Sequence, residues 1–519
     1  MMKRRKLEPS IYIGPKYLPI RLKLIMERPP YKYHPDDTWA AKYSSEHLAH
    51  WETIAQRIGK AWNLGGYYHN RLVKVFQTLV EPNQRIVEFG CGQGDLLAGL
   101  KPAFGVGIDF SPTMLERARL RHPELHFIQA DIHDVKRDEY IIGNGLLTAG
   151  FDIIICSDLL DDIWDIQAVL ELAGDLALPD ARLIINSYSR LWELPLTLGQ
   201  SLGIAQPMLQ RNWLTMEDIK NLCELTNFEV IRQWQEILWP LRTPLLDRFC
   251  NQYLVKLWPI NHLGLTNFTI ARMHPEPRQT PSIVSVIVPA RNEAGNIPAI
   301  FERTPEMGQY TELVFVEGHS ADNTYEVIAQ AITEHPERIC KLLRQTGIGK
   351  GDAVRTGFTN ASGEIFMILD ADLTVPPEDL PRFYHALIDG HGDFINGVRL
   401  VYPMEKQAMR FLNLLGNKFF SLAFSWLLGQ PIKDTLCGTK VLWKTDYEKI
   451  VANRAYFGDF DPFGDFDLIF GAVKLNRKII DLPIRYRERK YGTTNIERWK
   501  HGWLLLRMMF IAAKRVKFV

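Results

Sequence analysis

Residues 365–373 read Ile-Phe-Met-Ile-Leu-Asp-Ala-Asp-Leu, an apolar run that ends in two aspartates. Five consecutive apolar residues without a polar interruption predict a strand buried on both faces of a sheet. Asp370 and Asp372 follow, and the carboxyl end of a parallel strand is where open α/β sheets bind ligands. Neighbouring carboxylates repel each other unless a cation lies between them, and a hard divalent ion completed by a diphosphate meets that need. We therefore predict a Mg2+ or Mn2+ site here; the alternative is an acidic turn after a core strand.

Length, charge and cysteine content limit the classes of protein that fit this chain. A chain of 519 residues is too long for one core, so we expect two or three domains. A net charge of +1 argues against a dedicated nucleic-acid-binding protein. The six cysteines are scattered without CxxC spacing, which predicts neither a zinc site nor a disulfide framework and favours a reducing cytoplasm. We expect no signal peptide and no membrane-spanning helix.

A proline-rich segment divides the chain. His274 to Pro281 contains three prolines and predicts an extended, stiff linker. We place the domain boundaries around this segment. The predicted parts are an irregular arm at 1–45, a first α/β domain at 46–273, the linker at 274–282 and a second α/β domain at 283–519.

Acidic residues lie at the ends of four successive predicted strands of the first half. The strands are predicted at 85–89, 105–108, 126–129 and 151–156. A turn with Gly90, Gly92 and Gly94 follows the first strand and lets the backbone approach a ligand closely. About twenty residues further on, Asp109 is placed to accept both hydroxyls of a ribose. Because the carboxyl ends of parallel strands meet at one edge, these residues predict one ligand site.

This pattern resembles the class I S-adenosylmethionine-dependent methyltransferases over residues 50–272. The resemblance implies an S-adenosylmethionine site formed by Glu88, Gly90, Gly92, Gly94, Asp109 and Asp131. Glu88 and the glycines match the family's motif for the methionine part, Asp109 matches the ribose-binding acid, and Asp131 matches the residue that binds the adenine amino group. A nicotinamide dinucleotide site would need G-x-G-x-x-G, whereas the spacing here is G-x-G-x-G. A related fold with an empty pocket remains the alternative.

The methyl acceptor is not defined by the sequence. Asp158, Asp161 and Asp162 lie near the expected substrate mouth, where one of them would serve as a base. The favoured interpretation is that all three are solvated loop acids.

The second half repeats the alternation of strands with polar loops. Strands are predicted at 284–288, 312–316, 340–343 and 365–369. The segment Gly349-Lys350-Gly351 stands at a predicted helix start, where glycines flanking a lysine suit a phosphate contact.

Residues 283 to about 500 resemble the family 2 glycosyltransferases with the GT-A fold, and among them the dolichyl- and polyprenyl-phosphate glycosyltransferases. Five segments match in the family's order: 288–293, 349–357, 370–372, 434–440 and 485–492. The resemblance implies a nucleotide-sugar site (UDP- or GDP-sugar) that includes Pro289, Asn292, Glu293, Glu317, Lys350 and Asp370. Asp370 and Asp372 are implied to hold Mg2+ or Mn2+. The family usually has two aspartates at the positions of Glu317 and Gly318. The sequence therefore does not define which nucleotide binds.

Three arginines suggest the acceptor. Arg485, Arg487 and Arg489 alternate along a predicted strand, which would place their side chains on one face. Three guanidinium groups on one face suit a phosphate acceptor. The alternative is a solvated basic strand edge. If the acceptor is a hydroxyl, it needs a base, for which Asp465 and Asp467 are the candidates.

Two apolar segments, 410–428 and 499–517, are predicted as helices. Their aromatic residues and cations are typical of helices that lie in a membrane interface. Packing between the helices, or a dimer contact, explains the same composition.

Together these features predict a bifunctional enzyme located in the cytoplasm, at the inner face of the membrane. It would transfer a sugar from a nucleotide sugar to a polyprenyl phosphate with a divalent metal, fused to an S-adenosylmethionine-dependent methyltransferase. The alternative function is a soluble glycosyltransferase acting on a hydroxyl of a glycan or small molecule, with a non-catalytic first domain.

Overall fold

The computed structural model contains two seven-stranded sheets, one in each half of the chain. The described residues are 38–57, 64–135, 147, 150–202, 208–209, 211–278, 282–399, 401, 411–457, 464–487, 489, 491 and 498–519. The predicted fold class, two Rossmann-like α/β domains, is confirmed.

The first sheet carries the loops of the first candidate site. Its strands are β1 (Arg85–Phe89), β2 (Phe104–Asp109), β3 (His126–Gln129), β4 (Phe151–Ser157), β5 (Ala177–Tyr188), β6 (Phe228–Glu236) and β7 (Thr266–Met273). The order is β3-β2-β1-β4-β5-β7-β6; β1 to β5 are parallel, and β7 runs antiparallel between β5 and β6. Since β2 and β4 lie on opposite sides of β1, the loops after β1 and β4 border the switch point where such sheets bind ligands.

Helices cover both faces of this sheet. They are α1 (Thr38–Arg57), α2 (Leu64–Leu79), α3 (Asp95–Gly99), α4 (Pro112–Arg121), α5 (Ile166–Leu176), α6 (Glu193–Ser201), α7 (Met216–Leu225) and α8 (Leu246–Gln252). Capping residues fix several starts: the Ser111 side chain accepts from Met114 N at the start of α4, and Asp165 accepts from Ala168 N at the start of α5.

The second sheet has the same kind of switch point. Its strands are β8 (Val284–Ala290), β9 (Thr311–Glu317), β10 (Ile339–Arg344), β11 (Ile365–Ile368), β12 (Phe394–Val398), β13 (Lys440–Trp443) and β14 (Ile479–Pro483). The order is β10-β9-β8-β11-β13-β12-β14. β11 is fully buried, as predicted, and pairs parallel with β8 and antiparallel with β13. Since β9 and β11 lie on opposite sides of β8, the loops after β8 and β11 border the switch point of this sheet.

The helices of the second half pack on this sheet and on each other. They are α9 (Ile297–Arg303), α10 (Thr324–Glu334), α11 (Lys350–Asn360), α12 (Leu380–Ile388), α13 (Phe411–Leu428), α14 (Lys444–Ala452), α15 (Asp465–Lys474) and α16 (Arg498–Ala512). The segments α13 and α16 are helical, as predicted, and residues of both join one core cluster.

Two expectations about secondary structure were wrong. α1 begins at Thr38, so the last part of the segment expected to be an irregular arm is helical. The strand expected to carry Arg485, Arg487 and Arg489 ends at Pro483, and residues 484–487 form no strand. The backbone N–H of Arg487 donates to Thr374 O instead of to a neighbouring strand.

The two halves contact each other through buried ion pairs. Arg182 on β5 and Arg272 on β7 both donate to Asp393, which directly precedes β12, at 2.7 Å each. Both guanidinium groups are buried. Burial would raise the pKa of Asp393, but the arginines outweigh it and lower the pKa to about 2. This carboxylate therefore links two strands of the first sheet to the second.

Candidate active sites

The aspartates after β11 lie beside the glycine-lysine turn that precedes α11. Asp370 Oδ1 is 2.7 Å from Lys350 Nζ, and both side chains are partly exposed. Burial would raise the pKa of Asp370, but Lys350 outweighs it and lowers the pKa. Burial conversely favours neutral Lys350, and Asp370 together with Asp465 more than offsets it and raises the lysine pKa. The ammonium group thus stays charged next to the first aspartate.

The second aspartate is joined to the loop after β8 through an arginine. Asp372 Oδ2 accepts from Arg489 Nη2 at 2.6 Å, and Arg489 Nη1 lies 3.4 Å from Glu293 Oε1. Burial and the nearby Asp372 charge raise the pKa of Glu293 to about 7, although Arg489 and a hydrogen bond from Asn296 oppose the rise. One guanidinium therefore joins Asp372 to Glu293.

The loops after β8 and β9 are cross-linked by hydrogen bonds. Asn292 donates its backbone N–H to Ser320 Oγ at 3.0 Å, and its Oδ1 accepts from Ala321 N at 2.7 Å. Glu317 Oε1 accepts from Ser320 N at 2.5 Å. Pro289 lies within β8 itself, one residue before its end. The structure thus brings together the predicted nucleotide-sugar residues of the two loops.

The loop at 434–440 closes the side of the site, a role that the sequence motif alone did not assign. Arg399 forms a bidentate ion pair with Asp434, the first residue of this loop, at 2.7 and 2.8 Å. A Cβ at Gly438 would overlap both Asp370 Oδ2 and Lys350 Nζ. Only a glycine therefore lets this backbone reach the ion pair.

The two candidate bases at the start of α15 differ in their surroundings. Asp465 is buried, 3.4 Å from Lys440 Nζ. Asp467 is also buried and pairs with Arg454 at 2.8 Å. A Cβ at Gly464, which precedes α15, would lie 2.7 Å from Gly351 Cα, so α15 begins against the start of α11. Asp465 therefore borders the site, while Asp467 faces Arg454.

The three arginines expected to share one face do not form one group, because Arg489 lies apart from the cavity that Arg485 and Arg487 line. Arg489 contacts Asp372 and Glu293, as described above. Arg485 and Arg487 line a cavity of about 400 Å3 together with Pro376, Glu378, Asp379 and Arg382. The single three-arginine surface is thus wrong, because the chain leaves the sheet after Pro483 and turns toward the loop after β11.

In the first half, the glycine turn and the end of β2 are tied together. Gly90, Gly92 and Gly94 all have positive φ angles, of 69°, 50° and 74°. Asp109 accepts from Gly92 N at 2.8 Å through Oδ2 and from Ser111 N at 2.9 Å through Oδ1. A Cβ at Gly92 would meet no atom within 4 Å, so the turn faces open space. Burial raises the pKa of Asp109.

Glu88 and Asp131, the other two acids of the predicted cofactor site, differ in their hydrogen bonds and in the direction of their pKa shifts. Glu88 is buried, accepts a backbone hydrogen bond from Leu97, and leaves Oε2 without a partner among the described residues; burial raises its pKa well above the ordinary value. Asp131 Oδ1 accepts from His133 N and Nδ1 at 3.1 and 2.8 Å. Burial would raise the pKa of Asp131, but His133 outweighs it and lowers the pKa. The orphaned Glu88 oxygen fits a polar ligand group.

The acids after β4 are not solvated, so the favoured interpretation of Asp158, Asp161 and Asp162 was wrong. Asp158 accepts from Tyr68 Oη at 2.9 Å and from Asn186 Nδ2 at 2.6 Å, and burial raises its pKa to about 6. Asp161 accepts from Tyr188 N, and burial raises its pKa to about 8. Asp162 accepts from Trp51 Nε1 at 2.6 Å.

Helix α1 covers this end of the sheet. Glu52 Oε1 accepts from Ser111 Oγ at 2.5 Å, and Oε2 accepts from Thr113 Oγ1. Together with the Trp51 contact to Asp162, these bonds attach α1 to the loops after β2 and β4.

Comparison with known proteins assigns each half to a domain type. Residues 285–449 match the profile of Glycosyl transferase family 2, and residues 80–242 match that of a Methyltransferase domain. The chain carries a methyltransferase domain and a family 2 glycosyltransferase domain. Both halves of the resemblance read from the sequence are thereby confirmed.

Individual proteins match parts of the chain. An undecaprenyl-phosphate 4-deoxy-4-formamido-L-arabinose transferase from Yersinia pestis is 32% identical over 139 residues, which are 25% of this chain and 42% of the relative. The chain thus spans less than half the length of that relative. The solved structure of glucosyl-3-phosphoglycerate synthase from Mycobacterium tuberculosis, in complex with Mn2+, UDP and glucosyl-3-phosphoglycerate, is 18% identical, with a TM-score of 0.33 and coverage of 46% of this chain and 80% of that one. A methyltransferase structure from Thermotoga maritima, described as a possible histamine N-methyltransferase, is 14% identical, with a TM-score of 0.32 and coverage of 44% and 99%.

The described residues contain no cluster of three or more His, Cys, Asp or Glu side chains suited to a metal ion. No helix among them has the length and apolar content needed to cross a bilayer.

Proposed function

We propose that the second domain transfers a sugar from a nucleotide sugar to a polyprenyl phosphate with a divalent metal. The observation that carries this proposal is the meeting of Asp370 and Asp372 with Lys350, Arg489 and Glu293 at the switch point of the second sheet. The name of the Yersinia pestis relative, an undecaprenyl-phosphate transferase, supports the acceptor class.

The residues present fit a Mg2+ or Mn2+ ion that is shared with a diphosphate. Asp370 and Asp372 supply carboxylate oxygens, and the phosphate oxygens of the donor would complete the shell. Such an ion neutralises charge on the leaving diphosphate. Lys350 and Arg489, which now pair with the two aspartates, would then contact phosphate oxygens.

The other site residues position the donor and the acceptor. Asn292 and Glu317, both bonded to the segment at 320–321, would hold the nucleoside beside Pro289. A phosphate acceptor is already anionic, so cationic positioning matters more than a base. Arg485 and Arg487, in their own cavity with Arg382, are the cations that we assign to this acceptor.

The donor and the metal are tested by thermal shift and by transfer assays. We expect stabilisation by a UDP- or GDP-sugar only with Mn2+ or Mg2+, and a fall in transfer rate of at least about 1000-fold for Asp370→Asn and Asp372→Asn. Asp389→Asn, an exposed aspartate on the same domain, is the control. Metal-independent transfer would contradict the proposal.

The alternative acceptor, a hydroxyl group, is tested at the start of α15. Buried Asp465, which lies 3.4 Å from Lys440 Nζ and whose charge raises the pKa of Lys350, is the base candidate that borders the site, whereas Asp467 faces Arg454. We expect Asp465→Asn to retain transfer to a polyprenyl phosphate within about tenfold. A collapse by several orders of magnitude in a folded variant would favour the hydroxyl acceptor.

For the first domain we propose binding of S-adenosylmethionine and methyl transfer. The open glycine turn, Asp109 and the orphaned Glu88 oxygen would hold the methionine and ribose parts, with Asp131 near the adenine. Calorimetry should give a saturable binding heat for S-adenosylmethionine. Asp109→Ala should lower the affinity about 10- to 100-fold, because charge-assisted hydrogen bonds are lost. Exposed Glu124→Ala is the control. No heat with the intact chain would indicate a scaffold domain.

We propose a cytoplasmic location with contact to the inner membrane face, which a lipid-phosphate acceptor requires.

A further inference from the structure

Helices α13 and α16 each bury one apolar face and expose another. Phe424, Leu428, Leu505 and Met508 belong to the core of the second domain. On the outside, α13 exposes Phe419, Leu422 and Trp426, and α16 exposes Trp503, Leu506 and Phe510. Both outer sets have the spacing i, i+3, i+7, which places their members on one face of each helix.

The exposed face continues onto the methyltransferase domain. The Trp426 ring lies 5.9 Å from Phe518, Phe518 lies 5.6 Å from Tyr253, and Tyr253 lies 6.4 Å from Phe249. The main chain also connects the domains here, since Gln252 Nε2 donates to Phe518 O at 2.9 Å. The apolar surface is therefore shared by both domains.

The segment that carries Phe249 and Tyr253 exposes further apolar side chains. Leu245 is 85% exposed and Trp258 79% exposed, with Phe249 at 53% between them in the sequence. Exposed apolar side chains are ordinary when scattered, but a contiguous group marks a contact surface.

Positive charges predominate around this surface, although segment 245–258 contains Asp247. Residues 411–428 and 498–519 contain no Asp or Glu. Lys418, Arg507, Lys514 and Arg515 are exposed on the two helical segments. At the domain seam, a cavity of about 80 Å3 is lined by five cations and one acidic side chain: Arg232, Lys256, Lys474, Arg515, Lys517 and Glu236. Lys517 Nζ lies over the Trp426 ring, 5.2 Å from its centroid.

We propose that segment 245–258 of the methyltransferase domain and the outer faces of α13 and α16 form one surface that binds an anionic membrane. The inference rests on the proposed lipid-phosphate acceptor and adds that the methyltransferase domain itself contacts the lipid. Aromatic and aliphatic side chains bordered by cations are what an anionic headgroup layer attracts. A second copy fits less well, because a two-fold contact would bring the same cations together.

Flotation of the full chain with vesicles tests this surface. We expect binding to vesicles of phosphatidylcholine with phosphatidylglycerol, and weaker binding to phosphatidylcholine alone. The double variants Leu245→Ser/Trp258→Ser and Trp503→Ser/Phe510→Ser should each lower the bound fraction roughly tenfold. The control Leu120→Ser/Leu225→Ser removes two exposed leucines elsewhere and should bind like the unmodified chain.

Three results would overturn the inference. One is unchanged flotation of the Leu245→Ser/Trp258→Ser variant, which would confine the contact to the glycosyltransferase domain. Another is no flotation of the unmodified chain. The third is a dimer in sedimentation velocity that the same variants abolish. Transfer to a short, water-soluble polyprenyl phosphate, measured in parallel, separates this inference from the proposed function, because it needs the acceptor site without the membrane.

Discussion

Gly438 is the residue whose backbone touches the Lys350–Asp370 ion pair, and its lack of a side chain is testable. A Cβ there would overlap Asp370 Oδ2 and Lys350 Nζ, so Gly438→Ala must separate the pair or move the loop at 434–440. We expect sugar transfer to fall about 100-fold, or ~2.7 kcal/mol in the barrier. Gly416→Ala, whose Cβ would meet no atom within 4 Å, is the control in a transfer assay. Equal activity of the two variants would contradict this role.

At the residue scale, the sequence predicted which residues of the second domain lie together better than it predicted the surroundings of the acids after β4. The motif residues Lys350 and Asp370 do meet, because strand ends at a switch point share one edge. The acids after β4 were misjudged, since nothing near them in the sequence indicates that Tyr68 and Trp51, about 90 and 111 residues away, contact Asp158 and Asp162.

At the scale of elements, strands were predictable where an apolar run carried the signal. β1 and β3 have the predicted bounds, and β11 is one residue shorter than predicted. The alternation of Arg485 to Arg489 misled, because period-two spacing also occurs in extended chain outside a sheet. β14 ends at Pro483, and the backbone N–H of Arg487 donates its hydrogen bond to Thr374 O in the loop after β11.

Helix α1 offers a prediction at this scale, since it reaches the candidate cofactor site through one side chain. Glu52 accepts hydrogen bonds from Ser111 and Thr113 at the start of α4. Glu52→Ala should weaken the docking of α1 by about 1–2 kcal/mol. We expect amide exchange across 38–57 to rise about 5- to 30-fold, measured by mass spectrometry. The control is Glu46→Ala, which removes an exposed pair with Lys42; equal exchange in both would exclude the docking role.

At the scale of the molecule, the contact between the domains was not predictable. The linker composition indicated a boundary. Asp393, however, pairs with Arg182 and Arg272, which precede it in the sequence by 211 and 121 residues. Lys474 likewise donates to Thr78 O, and Asn476 to Leu79 O, across the same contact. Such pairs leave no periodic pattern, because each partner is isolated in its own strand or loop.

The ion pairs at Asp393 should make the domain contact sensitive to acid. Asp393→Asn removes the ion-pair partner of buried Arg182 and leaves buried Arg272 with Glu229 alone, so we expect a loss of about 3 kcal/mol in the free energy of unfolding at pH 7. Exposed Asp389→Asn should change it little. The folded-state pKa of Asp393 is about 2 against an ordinary 3.8, so its stabilisation is complete above pH ~4 and is lost as the pH falls toward 2.

Urea unfolding from pH 7 to pH 2 measures this difference directly. The gap between the intact chain and Asp393→Asn should be constant above pH ~4 and shrink by on the order of 2 kcal/mol below it, because the intact chain then protonates the same carboxyl. Other acids titrate equally in both proteins and cancel in the gap. Parallel stability curves down to pH 2 would mean that the arginines do not depend on the Asp393 charge, and that the two domains are held together by their apolar and main-chain contacts instead.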